Sequence, residues 1–413
     1  MDNIVLRNIS VDKNIVYYQF EVDGDSKHFF KGNTIFYIFQ DDVSEVPLSI
    51  LTIPFIGAIH SLTWLNGSFL WVPEIDRTFY LSLRQVKQSF QEMHYDYPFT
   101  GKIVPSKIVD NKIHISEKAL LLFGGGVDAH CTFLRNKEII SSIINIQGWY
   151  ESINSIDNAA NDDFKHCKQF AESHDIAFHY VKSNFASIIN NKFISKKYQK
   201  KLHDGWWHGF QHSQAFIATA IVLCFKYGIS NIYIGSSNTV GDQVACASDI
   251  TTDSMFEFAQ NGRVFHDAFE LDRQQKIKTI VDYQKLSGNP YPLKVCSFND
   301  HNCCECEKCF RTIIEIVAEG GDVKDFAFNI KKPLKLHFED VMYRRLGLWG
   351  MDFERKIYWE STMTRMKENY ANIKDKDFVD WFLCFDFEKA KKEGLRRYYR
   401  QNFFSILKRK LHL

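Results

Sequence analysis

Residues 119–130 read Ala-Leu-Leu-Leu-Phe-Gly-Gly-Gly-Val-Asp-Ala-His, and the fold of the chain turns on them. Ala119–Phe123 is a short, continuous apolar run, the composition expected of a β-strand covered on both faces. Gly124, Gly125 and Gly126 break that run, and a helix is expected to begin near His130. A glycine turn between strand and helix suits an anion, because backbone N–H groups can approach it with no Cβ in the way. The free amides of the helix N-terminus add a dipole that favours phosphate. Asp128 is the odd member, since a carboxylate repels phosphate; it makes sense if it holds Mg2+ or orients the loop.

Working outward from this turn, the chain alternates. Glu138–Ile146 reads as a second strand, Asp157–Ser173 as a helix and Ile176–Val181 as a third strand. His212–Lys226 is apolar almost all round, hence a buried helix, and it leads into the strand Asn231–Gly235. Strands separated by helices of this length imply an α/β fold with a doubly wound parallel sheet. The stretch before it has alternation in Asn14–Val22, an apolar run at Thr34–Phe39, a turn at Asp23-Gly24 and a helical pattern over Thr78–Met93. A β-rich accessory domain over residues 1–115 is therefore expected, with the α/β domain over 116–332. From Pro333 the sequence is helical, aromatic and increasingly basic, giving a third region over 333–413. Lys391–Leu413 holds eight Lys/Arg against one Glu, interleaved with Tyr398, Tyr399, Phe403 and Phe404. A helical cap packed by its apolar stripe accounts for this region; contact with an acidic partner, nucleic acid or a membrane surface is the alternative.

Three phosphate-binding motifs compete for the glycine turn. A Walker loop needs Gly-Lys-Ser/Thr at its end, which is missing here. The dinucleotide fingerprint is matched by Gly124, Gly126 and Ala129 but calls for an acidic residue at the end of the second strand. That strand ends instead in Asn145-Ile146-Gln147-Gly148. The third motif, the PP-loop, has the usual form Ser-Gly-Gly-x-Asp-Ser. Gly125, Gly126 and Asp128 match it, while Gly124 and Ala129 stand where it has serines. A tight turn with no ligand is the bland alternative.

A net charge of +1 argues against a general nucleic-acid binder, and no apolar run is long enough to cross a bilayer. Met1–Lys13 lacks the layout of a signal peptide, so a cytoplasmic protein is expected. Of ten cysteines, Cys296, Cys303, Cys304, Cys306 and Cys309 crowd into one segment. The spacing C-x6-C-x2-C-x2-C of Cys296, Cys303, Cys306 and Cys309 suits four thiolates closing a structural, tetrahedral Zn2+ site. Cys304, one residue out of phase, is expected to be a spectator. Lys308 and Arg311 flank the cluster and can offset its charge.

A PP-loop early in an α/β domain and a cysteine knuckle near its end together resemble the 7-cyano-7-deazaguanine synthases, a branch of the PP-loop (HUP-type) ATP pyrophosphatases. The resemblance spans about Ser116 to Ile314. It includes the strand ending in Asn145-Ile146-Gln147-Gly148-Trp149, the glycine turn after Tyr233-Ile234-Gly235-Ser236-Ser237, the segment Leu271–Lys276 and the closing Cys309-Phe310-Arg311. It implies an ATP- and Mg2+-dependent ligase that adenylates a small, deazaguanine-like carboxylic acid, releases pyrophosphate and passes the acyl group to ammonia. The longer termini and lost serines imply a specialised relative. Such relatives occur in bacterial antiviral defence, where the resemblance suggests an amine on a partner protein as the acceptor. On this resemblance Gly124, Gly125, Gly126 and Asp128 hold pyrophosphate and Mg2+, and Lys276 neutralises phosphate charge, unless it is a solvated helix lysine. The alternative is a non-catalytic, nucleotide-binding assembly protein with a degenerate PP-loop. Weaker candidates are His208 and His212, four apart beside Trp206 and Trp207, and Asp242, Asp249 and Asp253 in the loop after Gly235. For the histidines, stacking on the tryptophans competes with a metal role; for the carboxylates, solvated turn positions compete with a functional one.

Overall fold

The computed structural model describes residues 2–149, 162–241, 244–296, 301–345 and 356–403. Asp242, Phe404 and the start of the helix expected from Asp157 lie outside them. Eleven strands form one sheet: β1 Asn3–Asp12, β2 Ile15–Val22, β3 Thr34–Phe39, β4 Phe69–Asp76, β5 Lys102–Val109, β6 Ala119–Leu122, β7 Ile140–Gln147, β8 Ala177–Ser183, β9 Asn231–Gly235, β10 Glu257–Phe258 and β11 Gly262–Asp267. Their order is β10-β11-β9-β6-β7-β8-β3-β2-β1-β4-β5. The protein is thus α/β with a large, mostly parallel sheet.

Parallel pairing links β11, β9, β6, β7 and β8 in turn. The chain steps from β6 to β7 to β8 on one side, then crosses back to place β9 and β11 on the other. The direction of winding therefore reverses at β6. The buried runs of β6, β7 and β9 follow the expected ranges closely. The helices Asp162–Ser173 and His212–Tyr227 also fall within or close to the expected ranges.

The expected domain boundaries do not match the compact units. β3 pairs antiparallel with β8, so β1–β5 extend the same sheet rather than forming a separate accessory domain. One compact unit holds residues 1–124 and 128–270, and the other holds 125–127 and 271–413. The cysteine segment thus groups with the C-terminal helices, and neither 115/116 nor 332/333 divides the units. The N-terminal stretch is also less purely β than its turns suggest. Helix Ile53–Asn66 is buried from Ile53 to Leu65, so it has no polar face from which a period can be read. Helix Arg77–Met93, by contrast, buries Phe79, Ser82, Leu83, Val86 and Phe90 on one stripe and is capped by Asp76, which accepts from Phe79 N at 2.9 Å.

Candidate functional site

The glycine turn lies at the carboxyl end of β6, at the reversal of strand order, the position where open α/β sheets gather ligands. Phe123, the residue before the turn, is pinned in place: its N–H donates to Ile144 O at 2.9 Å, and its carbonyl accepts from Asn145 Nδ2 at 3.2 Å. Asn145 therefore anchors the turn from the position where a dinucleotide site carries its acid. Gly125 has φ +77°, a left-handed conformation that favours glycine. Cβ atoms added at Gly124 or Gly126 would meet nothing within 4 Å among the described residues. Helix Val127–Arg135 starts directly after it, with half-exposed Asp128 in the first turn.

Gly235 explains the close seat of that helix. A Cβ there would sit 2.7 Å from the backbone carbonyl of Asp128 and 3.0 Å from Thr132 Oγ1. Only a residue without a side chain lets the end of β9 approach the helix start. Farther along, Arg135 reaches Asp267 at 3.2 Å and Glu270 at 2.6 Å.

The remaining loop candidates separate by contact. Asp249 caps the short helix Ile250–Asp253, accepting from Thr251 N at 2.9 Å and Thr251 Oγ1 at 2.7 Å. Asp253 is fully buried, accepts from Ser248 Oγ at 2.8 Å and pairs with His266 Nδ1 at 3.0 Å. The pairing with His266 is invisible in sequence because His266 comes from β11. His208 bonds Asp204 and stacks on His212 with ring centroids 5.7 Å apart. Among the described residues the only group of three or more metal-ligating side chains is the cysteine cluster, so the two histidines form no such site. Lys276 belongs to the second unit, in helix Arg273–Ser287, and is 1 % exposed rather than solvated. Asp272 spends its carboxylate as that helix's cap, accepting from Gln275 N at 2.7 Å and from Ser361 Oγ at 2.9 Å.

The cysteine cluster is built within the second unit. The Sγ atoms of Cys296, Cys303, Cys306 and Cys309 all lie within 4.8 Å of one another. Cys303 and Cys309 are 3.9 Å apart and Cys296 and Cys306 4.0 Å. A tetrahedron with metal–sulfur bonds of about 2.3 Å has edges of about 3.8 Å, so the four thiolates fit a zinc ion. Backbone N–H groups aim at the sulfurs: Cys306 N lies 3.2 Å and Glu305 N 3.4 Å from Cys303 Sγ, and Cys309 N 3.5 Å from Cys306 Sγ. Cys306 is also the N-cap of helix Glu307–Ala318. A hydrogen bond from the Cys309 thiol, helped by the Cys309 backbone N–H, pulls the Cys306 thiol well below its ordinary value, against its burial.

Cys304 behaves as a spectator. It occupies the left-handed position of the turn, at φ +57°, and burial pushes its thiol up to about 12. Its carbonyl is held by His337 Nε2 at 2.7 Å. Asn302 staples the loop, accepting from Val295 N at 3.0 Å and donating to Leu293 O at 2.8 Å. Lys308 is exposed and Arg311 pairs with Glu307 at 3.2 Å. A further cation close by is Lys294, which is buried and bonds the carbonyl of Cys296. Sequence reading missed it because a lysine two residues before a ligand carries no signal of burial.

No protein-family profile matches the chain, and no curated protein matches its sequence. Among the described residues no helix is long and apolar enough to cross a membrane.

Proposed function

We propose that this chain is an ATP-dependent adenylating ligase that joins a small carboxylic acid to ammonia or to an amine of a partner protein. The observation that carries the reading is the glycine turn at the strand-order reversal, followed at once by a helix with Asp128 in its first turn. In this reading the amides around Gly124–Gly126 take the pyrophosphate of ATP, and Asp128 holds its Mg2+. A carboxylate oxygen of the acid attacks the α-phosphorus, and pyrophosphate leaves. The amine nitrogen then attacks the acyl carbon, AMP leaves and the amine loses a proton. Zinc on the four cysteines is structural, because a closed set of four ligands leaves no open position for substrate.

A second reading is favoured by one particular: Gly124 and Ala129 offer no hydroxyl to a phosphate. A nucleotide-binding assembly protein that has lost turnover also fits that turn. Incubation with ATP, Mg2+, carboxy-deazaguanine and ammonium or a candidate partner protein separates the two. AMP and pyrophosphate are expected, and Asp128→Asn should lower their formation by about 100-fold or more. Bound but unchanged ATP supports the assembly protein. ADP as product overturns the adenylation reading.

A further inference from the structure

A cavity lies in the first unit, formed around β7, β8 and the segments that follow β8. It holds about 140 Å³ and is lined by Trp149, Phe185, Trp206 and Trp207, with Lys31 and Lys192 among its other walls. Its walls are mixed, since Asn191 and the two lysines add polar surface to the aromatic rings, and its volume is close to the roughly 150 Å³ that admits one benzene-sized ring. The rings here are mutually packed: Trp149 lies 4.2 Å from Phe185 and 5.5 Å from Trp207 by centroid. Trp206 satisfies its indole N–H on Ser61 Oγ at 3.2 Å. Trp149, only 5 % exposed, has a buried indole N–H with no acceptor among the described residues. Such a donor costs free energy unless a ligand supplies the acceptor. The neighbouring turn Trp207–Gln211 is a π-helix, a form that recurs at functional sites.

The charge beside this cavity has a definite layout. Helix Asn191–Leu202 carries five lysines and no acid. Lys197 and Lys201 lie over aromatic rings, Lys197 at 5.1 Å from Phe29 and Lys201 at 4.3 Å from Tyr97. Lys192, Lys196 and Lys200 are exposed, recur every four residues on one face and take part in no ion pair among the described residues. From the first to the third is about 12 Å along the axis, room for two or three phosphates. Lys192 is shared: it begins the row and lines the cavity. Lys31 is held beside it, its N–H donating to Ile188 O at 2.7 Å. The overall charge of +1 conceals this concentration.

We infer that the first unit binds a single-stranded nucleic acid, with one base stacked in the tryptophan cavity and the adjoining phosphates on Lys192, Lys196 and Lys200. Base stacking on aromatic rings beside a basic track is how sequence-tolerant single-strand sites work. The inference does not rest on adenylation, since it uses no residue of the glycine turn.

Fluorescence anisotropy of labelled U10 on the full chain tests it, with an abasic ten-nucleotide strand and heparin as probes of charge without bases. The triple variant Lys192→Gln, Lys196→Gln, Lys200→Gln alters exposed side chains only. It should weaken U10 by about tenfold or more and reduce the salt slope by roughly 2, from about 0.7 per phosphate on a single strand. The abasic strand should bind about tenfold more weakly than U10, a comparison that needs no tryptophan variant to fold. Trp149→Phe should weaken U10 several-fold while leaving the abasic strand unchanged. Binding of U10 unaffected by the triple variant overturns the inference, and so does an abasic strand or heparin that binds as tightly as U10.

Discussion

The first unit is held by a continuous apolar core that reaches from Ile4 in β1 through Phe55, Phe79 and Ile221 to Val264 in β11. The second unit has apolar contacts of its own, among them Phe310 against Phe338 at 4.0 Å, but it also buries ions. Glu315, 1 % exposed, accepts from Arg273 Nε at 3.0 and 3.1 Å. Glu319, 2 % exposed, takes both Nε and Nη2 of Arg365 and the amide of Gln274. Lys294 and the four clustered cysteines belong to the same unit. Apolar cores lose stability in graded steps as atoms are removed. Buried ions and metal ligands lose it abruptly, because the partner left behind is a desolvated charge. The first unit has such a group in Asp253 beside His266, whereas the second combines two Arg–Glu pairs whose glutamates are buried with the cysteine cluster, which makes it the more brittle of the two.

The largest effect that can sharpen this contrast is loss of a ligand. Cys306→Ser should reduce bound zinc from one per chain to none and expose residues 271–413 to protease while residues 2–270 resist. Cys304→Ser should keep the metal. Metal analysis with limited proteolysis reads both, and zinc retained by Cys306→Ser would break the assignment. Next in size, Arg365→Ala strands Glu319 and should destabilise the second unit by about 2 kcal/mol, less than a fully buried pair because Arg365 keeps some solvent. Arg365→Lys should recover part of the loss in urea unfolding. No change in the alanine variant would remove buried ions as the cause of brittleness.

The third effect belongs to the first unit and grows only with acid. Burial holds His60 at about 4, opposed by its bonds to Ile56 O and Gln214. Its folded value lies below the ordinary 6.5, so the unfolded chain takes up the proton first. Stability is therefore full above about pH 6.5 and is lost as pH falls toward 4, by roughly 3 kcal/mol for this group. Burial lowers His94 and His179 as well and adds in the same direction. Urea midpoints followed by tryptophan fluorescence between pH 7 and 4 measure the slope, and His60→Gln should flatten it.

How much of this the sequence discloses depends on the range of the interaction. β6, the glycine turn, β9 and the four cysteines are local patterns, and each is found close to where the residues put it. Helix Ile53–Asn66 escapes because it is apolar on every side, and β11 because its alternation is short. The joining of β3 to β8 links residues far apart in the chain through backbone bonds that no motif marks. Asp253 with His266, Trp149 with Trp207, and Lys294 beside the cysteines are likewise products of the fold. The turn's geometry bears on anion binding, whereas the chemistry proposed for it draws on resemblance.

The π turn at Trp207–Gln211 carries one residue more than an α-helix would need over the same span. Each residue advances an α-helix by about 100°, so that surplus sets the phase of the whole helix His212–Tyr227 relative to Trp206. Deleting a single residue there would spare the composition of the segment yet rotate helix His212–Tyr227 by about 100° relative to Trp206 and Trp207. Length variation at this spot, rather than substitution, is the change the region can least absorb.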